Sequence, residues 1–130
     1  MSSPHVHHVT LTVSDIERSA TWYQDVLGPA DAARRSGDGW ERIRLAWPHG
    51  LVIGVTAHNA TTAADSFDHA RIGLDHIGLG CASEDEVRAW ATRLDKLGID
   101  RGPVESAPYG WAVTARDPDG IAIEFFCPKA

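Results

Sequence analysis

Two stretches of the sequence follow one plan: SDIERSATWYQDVLG at residues 14–28 and SEDEVRAWATRLDKLG at residues 83–98. Each begins with Ser and has Glu three residues later, the capping box that satisfies free amides at a helix N-terminus. Apolar residues then recur at helical spacing, and each stretch ends at a Gly suited to the position after a helix. The stretches begin 69 residues apart and end 70 residues apart. We therefore predict two helices within a repeated unit.

The sequence around these helices repeats at nearly the same interval. A β-prone run precedes each helix, His8–Val13 in the first case and His76–Cys81 in the second. Turn signatures of the form x-Pro-x-Gly follow each helix, at Trp47–Gly50 and Asp117–Gly120, and each lies between two strand-like runs. Each copy is therefore predicted to be a strand, a helix and three further strands. The fold class that we predict is α+β with two βαβββ modules.

The first module is predicted at residues 5–57 and the second at residues 74–127, with a polar and weakly patterned linker at 58–73. One module alone has too little apolar area to be stable. We therefore expect the two modules to pair in a single domain that spans residues 1–130.

Composition and charge exclude several classes of function. The 130 residues include 12 Lys and Arg against 18 Asp and Glu, a formal net charge of -6. Nucleic-acid binding and adhesion to anionic membranes both need a basic surface, so we expect neither. No apolar run approaches the roughly 18 residues of a membrane span, and the N-terminus does not resemble a secretory signal. The chain has only two cysteines, too few for a scaffold held by disulfides. We therefore expect a cytoplasmic protein with reduced thiols.

Histidines begin both β-prone runs, and a glutamate lies in the last one. Because side chains alternate along a strand, His8 shares a face with two threonines and His76 with two glycines, which leaves space beside each ring. Glu124 alternates with apolar residues in the final run, where a charge is costly to bury without a partner. Two His and one Glu are a ligand set that suits a divalent metal. The alternative is an exposed Glu on a half-solvated sheet and two unrelated histidines.

Three segments together resemble the vicinal oxygen chelate superfamily: HHVTLTVSDIERSATWYQDVLG at 7–28, LDHIGLG at 74–80 and RDPDGIAIEFF at 116–126. That superfamily includes glyoxalase I, extradiol dioxygenases, methylmalonyl-CoA epimerase, fosfomycin-resistance thiol transferases and bleomycin-binding proteins. The resemblance spans nearly the whole chain. It implies that two βαβββ modules pair so that their curled mixed sheets surround a metal or ligand cavity.

The resemblance also implies which residues hold the metal. The superfamily's ligands correspond to His8, His76 and Glu124 in this chain. Glyoxalase-type sites often have a fourth ligand, which would fall at Gly54, so that protein ligand is absent here. The implied cofactor is a divalent ion, Fe, Mn, Ni, Co or Zn, with coordination positions left for water and substrate.

The function implied is that of a metal-dependent enzyme acting on a small oxygenated substrate chelated to the ion. Both a lyase or isomerase and an Fe(II) dioxygenase remain open, and no general base can be named. The rival function is sequestration of a small molecule or antibiotic, as in bleomycin resistance. The resemblance also implies a homodimer, with the metal held within one chain or shared between two.

Aromatic side chains near strand ends are candidates for binding the small molecule, because apolar walls commonly line ligand cavities. The candidates are Trp40, Tyr109 and Trp111, to which we add His49 at a turn tip. For each aromatic residue the alternative is packing in the core.

Overall fold

The computed structural model describes residues 1–61 and 65–130 and divides the chain into two compact units, Met1–Asp65 and Ser66–Ala130. Each unit has a strand, a helix and three more strands, so the predicted fold class is confirmed. The pairing of the modules in one domain stays a prediction. None of the helices in the described part of the chain is long and apolar enough to cross a membrane.

The first unit has a four-stranded mixed sheet with the order β1-β4-β3-β2. Strands β1 and β4 are parallel, and the other neighbours are antiparallel. Helix α1 packs on β3 and β4. The elements are β1 (Val9–Thr12), α1 (Ile16–Leu27), β2 (Asp31–Gly37), β3 (Trp40–Ala46) and β4 (Val52–His58).

The second unit repeats this arrangement with the order β5-β8-β7-β6. Strands β5 and β8 are parallel, the other neighbours are antiparallel, and α2 packs on β7 and β8. The elements are β5 (His76–Gly80), α2 (Glu84–Lys96), β6 (Glu105–Ala107), β7 (Gly110–Arg116) and β8 (Ala122–Pro128).

Each sheet buries the face that its helix covers. In the first unit the buried strand residues alternate along β1, β3 and β4, and they are Leu11, Ile43, Leu45, Ile53 and Val55. In the second unit the Trp90 ring of α2 stacks on Phe125, with ring centroids 4.4 Å apart. We call the opposite face of each sheet its far face. Because side chains alternate, the far face carries the residues between those on the helix side.

Helix boundaries agree with the sequence except at the start of α1. Asp15, not the predicted Ser14, is the N-cap, and its carboxylate accepts a hydrogen bond from the Arg18 amide at 3.1 Å. Ser83 caps α2 as predicted, with its hydroxyl 3.1 Å from the Glu86 amide. Both predicted terminal glycines lie just after their helices with positive φ, the conformation that glycine adopts at least cost.

Candidate metal centre

The far face of the second sheet brings His76 and Glu124 together. Strand β5 runs beside β8 in a register that pairs Gly78 with Glu124, and His76 lies two residues before Gly78 on the same face. The Nε2 atom of His76 is 3.7 Å from Oε1 of Glu124. A Cβ atom added to Gly78 would touch only that carboxylate oxygen, at 3.7 Å. The glycine therefore keeps open the space in front of the two side chains.

Asp75 holds the other side of the His76 ring. Its Oδ1 is 2.6 Å from Nδ1 of His76. This hydrogen bond raises the pKa of His76, an effect that burial opposes and that the charges of Glu124 and Asp75 reinforce. It also lowers the pKa of Asp75. A neutral His76 that donates Nδ1–H to Asp75 presents its Nε2 lone pair on the side of Glu124, as a metal ligand must.

The spacing of these two donors suits one divalent ion. Bonds of about 2.1 Å to a shared ion place two neighbouring ligand atoms roughly 3 to 3.5 Å apart, so the observed 3.7 Å needs only a small side-chain adjustment. Imidazole nitrogen and carboxylate oxygen are also the donors that Zn, Mn and Fe accept. The chemistry and spacing of this pair therefore fit a metal centre.

His8, the third predicted ligand, belongs to the first unit. Its ring is exposed, and its Nδ1 lies 3.0 Å from Nδ1 of His7. Among residues 1–61 and 65–130, no three His, Cys, Asp or Glu side chains form a group that could hold a metal ion. The three-residue ligand set therefore stays a prediction, of which the structure brings two members together.

The first sheet has a different set of residues at the positions that match Gly78 and Glu124. Thr10 pairs with Gly54 in the parallel β1–β4 register, as Gly78 pairs with Glu124 in β5–β8. Gly54 is thus the equivalent of Glu124 in the first sheet, the position at which the resemblance to the superfamily implies a fourth ligand. A Cβ atom on Gly54 would lie 3.0 Å from Oγ1 of Thr10, so the threonine fills the space that a side chain there would need.

The predicted substrate-binding aromatics fall on different faces. Tyr109, 72% exposed in the turn before β7, stacks on Phe126 with ring centroids 6.2 Å apart. Phe126 is two residues beyond Glu124 and so lies on the same far face. Trp111 pairs with Cys127 and alternates to the face that carries Val113 and Phe125, beside α2. Tyr109 is therefore near the face that carries His76 and Glu124, and Trp111 is on the opposite face.

The other two candidates lie in the first unit. Trp40 is on the far face of its sheet, because its register partner His58 is two residues from Thr56 and four from Gly54. His49 is exposed in the turn between β3 and β4, at the end of the sheet where β1 begins.

Sequence reasoning missed two residues of the second unit, Asp75 and Phe126. The signal for Asp75 was its position directly before His76, and the signal for Phe126 was its alternation with Glu124. Both would be found by asking which neighbours a strand places around a candidate ligand.

Known proteins resemble this chain along most of its length. The family model described as Glyoxalase/Bleomycin resistance protein/Dioxygenase superfamily matches residues 5–125. The crystal structure of a glyoxylase/bleomycin resistance protein/dioxygenase domain from Frankia sp. EAN1pec has 34% identity and a TM-score of 0.88, over 98% of this chain and 94% of that one. A Vibrio parahaemolyticus protein named probable lactoylglutathione lyase is 28% identical, covering 99% of this chain and 94% of its own length.

A more distant likeness concerns the fold alone. The fosfomycin resistance protein FosX from Listeria monocytogenes, in complex with Mn(II) and a sulfate ion, has 20% identity and a TM-score of 0.69. The match covers 99% of this chain and 95% of FosX.

Proposed function

Because the chain belongs to the Glyoxalase/Bleomycin resistance protein/Dioxygenase superfamily, we propose that it is a metal-dependent enzyme acting on a small oxygenated substrate chelated to a divalent ion. The observation that carries this proposal is the His76–Glu124 pair, 3.7 Å apart, with Asp75 hydrogen-bonded behind the imidazole. The Mn(II) found in FosX, a protein of similar fold, supports the choice of cofactor.

The proposed ligands are His8, His76 and Glu124, with His8 supplied by the same chain or by a second copy. Two imidazoles and one carboxylate leave open positions for two substrate oxygens. The ion, when bound, supplies a Lewis acid that stabilises negative charge developing on a substrate oxygen. The chain orients the imidazole through Asp75 and keeps the approach open at Gly78.

The lyase or isomerase and the Fe(II) dioxygenase differ in the group that would transfer a proton. A lyase or isomerase needs a base. Gly54, at the position that a fourth ligand would take, has no side chain for that role, and Thr10 lies against it. An Fe(II) dioxygenase needs an acid–base group near the ion, for which His49 is the candidate. The Vibrio relative named probable lactoylglutathione lyase favours the lyase.

A second candidate function is sequestration of a small apolar or aromatic molecule. The observation that favours it is the exposed Tyr109 ring, which stacks on Phe126 on the face that carries His76 and Glu124. Aromatic surfaces of this kind bind flat ligands without needing a metal.

Metal content separates the two functions. We would measure bound metals by mass spectrometry in tag-free protein, as isolated and after anaerobic loading with Fe(II) or Mn(II). The enzyme proposal expects about one ion per chain, lost in Glu124→Gln and kept in Glu105→Gln, a control for a strand glutamate of the same unit. The proposal would be overturned if Glu124→Gln retained as much metal as the parent protein, or if the parent protein retained no ion under any loading. Ligand binding abolished by Tyr109→Ala would then favour sequestration.

The proposed assembly is a homodimer in the cytoplasm. Cys81 and Cys127 are free thiols, which supports a reducing compartment. Light scattering behind size-exclusion chromatography tests the dimer, which requires twice the mass of one chain.

A further inference from the structure

Three arginines share the far face of the first sheet. Arg35 of β2 lies directly opposite Arg42 of β3 in the antiparallel register, and Arg44 is two residues along β3, so all three side chains project from one face. Ile43, between Arg42 and Arg44, and Leu45, directly after Arg44, are buried on the helix side. We call Arg35, Arg42 and Arg44 the arginine face.

No carboxylate in the part of the chain that the structure describes pairs with the arginine face. None of its three residues forms an ion pair within the described residues, whereas Arg34, on the helix side of β2, pairs with Glu17. The one carboxylate that the register places on this face of the described sheet is Asp31, which lies opposite Ala46 at the far end of β2. Like charges directly opposite each other destabilise a sheet. The arrangement therefore costs stability unless an anion neutralises it.

Arg42 is held in place before any ligand arrives. Its Nε donates a hydrogen bond to Oγ1 of Thr56 at 2.8 Å, and Thr56 is itself buried. The guanidinium carbon lies 4.6 Å from the centroid of the Trp40 ring. These two contacts use the Nε edge and one flat side of the guanidinium and leave its terminal nitrogens for another acceptor. A fixed guanidinium fork matches the oxygens of a carboxylate or phosphate.

We propose that the arginine face binds the anionic oxygen group of a small molecule, a carboxylate, phosphate or phosphonate. The acidic chain, with its net charge of -6, is poorly suited to a polyanion such as a nucleic acid. The binding site itself depends only on the first unit.

The identity of this anion as part of the substrate rests on the proposed function. His8 lies two residues before Thr10, which is level with Gly54 and Arg44 across the sheet. Two strand spacings separate Thr10 from Arg44, roughly 10 Å. A small metabolite with an oxygen pair at one end and an anion at the other spans that distance. The substrate of the proposed enzyme is therefore a small organic anion.

The test uses metal-free full-length protein, prepared on a chelating resin so that no soluble chelator competes. Inorganic phosphate, methylphosphonate and acetate are titrated separately by calorimetry, with tryptophan fluorescence as a second signal because Trp40 lies under Arg42. We expect saturable binding of one anion per chain. Arg42→Gln should weaken it about tenfold or more, the usual effect of losing a charged hydrogen bond. Comparison of the three anions identifies the group that is preferred.

The matched control is Arg34→Gln. It removes one arginine charge from the residue before Arg35, whose side chain lies on the opposite face of the sheet. Its affinity should stay within about twofold, since it would lose only general attraction. Equal weakening in Arg34→Gln, or no saturable binding in the parent protein, would overturn the proposal. Should Arg42→Gln fail to fold, Arg44→Gln and Arg35→Gln carry the test.

The two proposals fail separately. Anion binding in metal-free protein that never retains an ion would leave the arginine face standing and refute the enzyme. Metal retention that depends on Glu124, without anion binding, would support the enzyme and refute the arginine face as an anion site.

Discussion

Replacing Asp75 by alanine removes the acceptor that orients His76. The bond between Asp75 Oδ1 and His76 Nδ1, at 2.6 Å, fixes both the rotation of the ring and the nitrogen that carries the proton. Without it, the Nδ1–H can turn to water and the Nε2 lone pair is no longer held on the side of Glu124. The loss therefore falls on metal affinity, while the exposed position of Asp75 leaves the fold unaffected.

The expected magnitude follows from the role of a ligand's hydrogen-bond partner. Removing such a partner typically weakens metal binding about 10- to 100-fold. Asp75→Ala should lie toward the upper end of that range, because it removes both the charge and the acceptor. Asp75→Asn should lie toward the lower end, because its amide oxygen still accepts from Nδ1–H.

Calorimetric titration with Mn(II) and Zn(II) measures the effect, with Asp85→Asn as a control for an exposed aspartate of the same unit. Nitrogen chemical shifts of His76 report the tautomer in the metal-free protein, a signal that a merely structural residue would not change. A decrease of less than twofold in Asp75→Ala, with the tautomer unchanged, would refute the reasoning.

Two further predictions concern the second unit. A Cβ atom on Gly110 would lie 2.5 Å from the Phe126 ring and 2.6 Å from a backbone oxygen, so Gly110→Ala should destabilise the protein by about 1–3 kcal/mol in urea unfolding. Gly102→Ala, with its nearest contact at 3.9 Å, should change it little, and equal effects would contradict the clash. Arg101 lowers the pKa of Asp95 through hydrogen bonds of 3.0 Å. Its contribution is therefore present above the unfolded pKa of about 3.9 and lost as pH falls through the lowered value. The unfolding midpoint of Arg101→Gln should fall below that of the parent protein at pH 7 and converge with it in acid; a difference that persists in acid would contradict this.

The repeated helices could be predicted because their ends and periods are local signals. Ser83, Gly28 and Gly98 act within one helical turn, so their roles follow from the residues around them. The error at Ser14 has an equally local cause. Ser and Asp both favour the N-cap position, and Ser14 and Asp15 are adjacent. The residue types alone therefore do not determine which of the two begins the helix.

Strand β2 lacked such a signal. Its sequence, DAARRSG, is neither apolar nor alternating, and every residue is exposed. It is a strand because the tight connection through Gly39 turns it back along β3 and the backbone ladder stabilises it. The position of Arg35 opposite Arg42 was therefore not predicted, since it depends on the register of β2 and β3.

The alternation of side chains along a strand explains which candidate site residues could be assigned to a face from the sequence. His76 and Glu124 could be assigned to one face because each strand contains its own apolar alternation. Trp111 could not, because nearness to a strand end does not determine parity. Only the pairing of Thr114 with Glu124, three residues along β7, places Trp111 on the helix side.

The two sheets differ in chemistry at equivalent positions of one scaffold. At the same level, the first has Thr10, Gly54 and Arg44 across three strands, and the second has Gly78, Glu124 and Thr114. The buried faces remain apolar in both, so the fold tolerates these exchanges on the far faces. Carboxylate and imidazole in one sheet suit a cation, and guanidinium groups in the other suit an anion.

The neighbours of Gly54 disfavour a carboxylate at that position. A side chain at Gly54 requires Thr10 to move, since its Oγ1 would be 3.0 Å from the new Cβ. A carboxylate there would also face Arg44 across the strand pair, where an ion pair competes with metal ligation. Glycine at position 54 and arginine at position 44 are therefore mutually consistent, because a carboxylate at position 54 would lie beside Arg44 and an ion pair with it would compete with metal ligation.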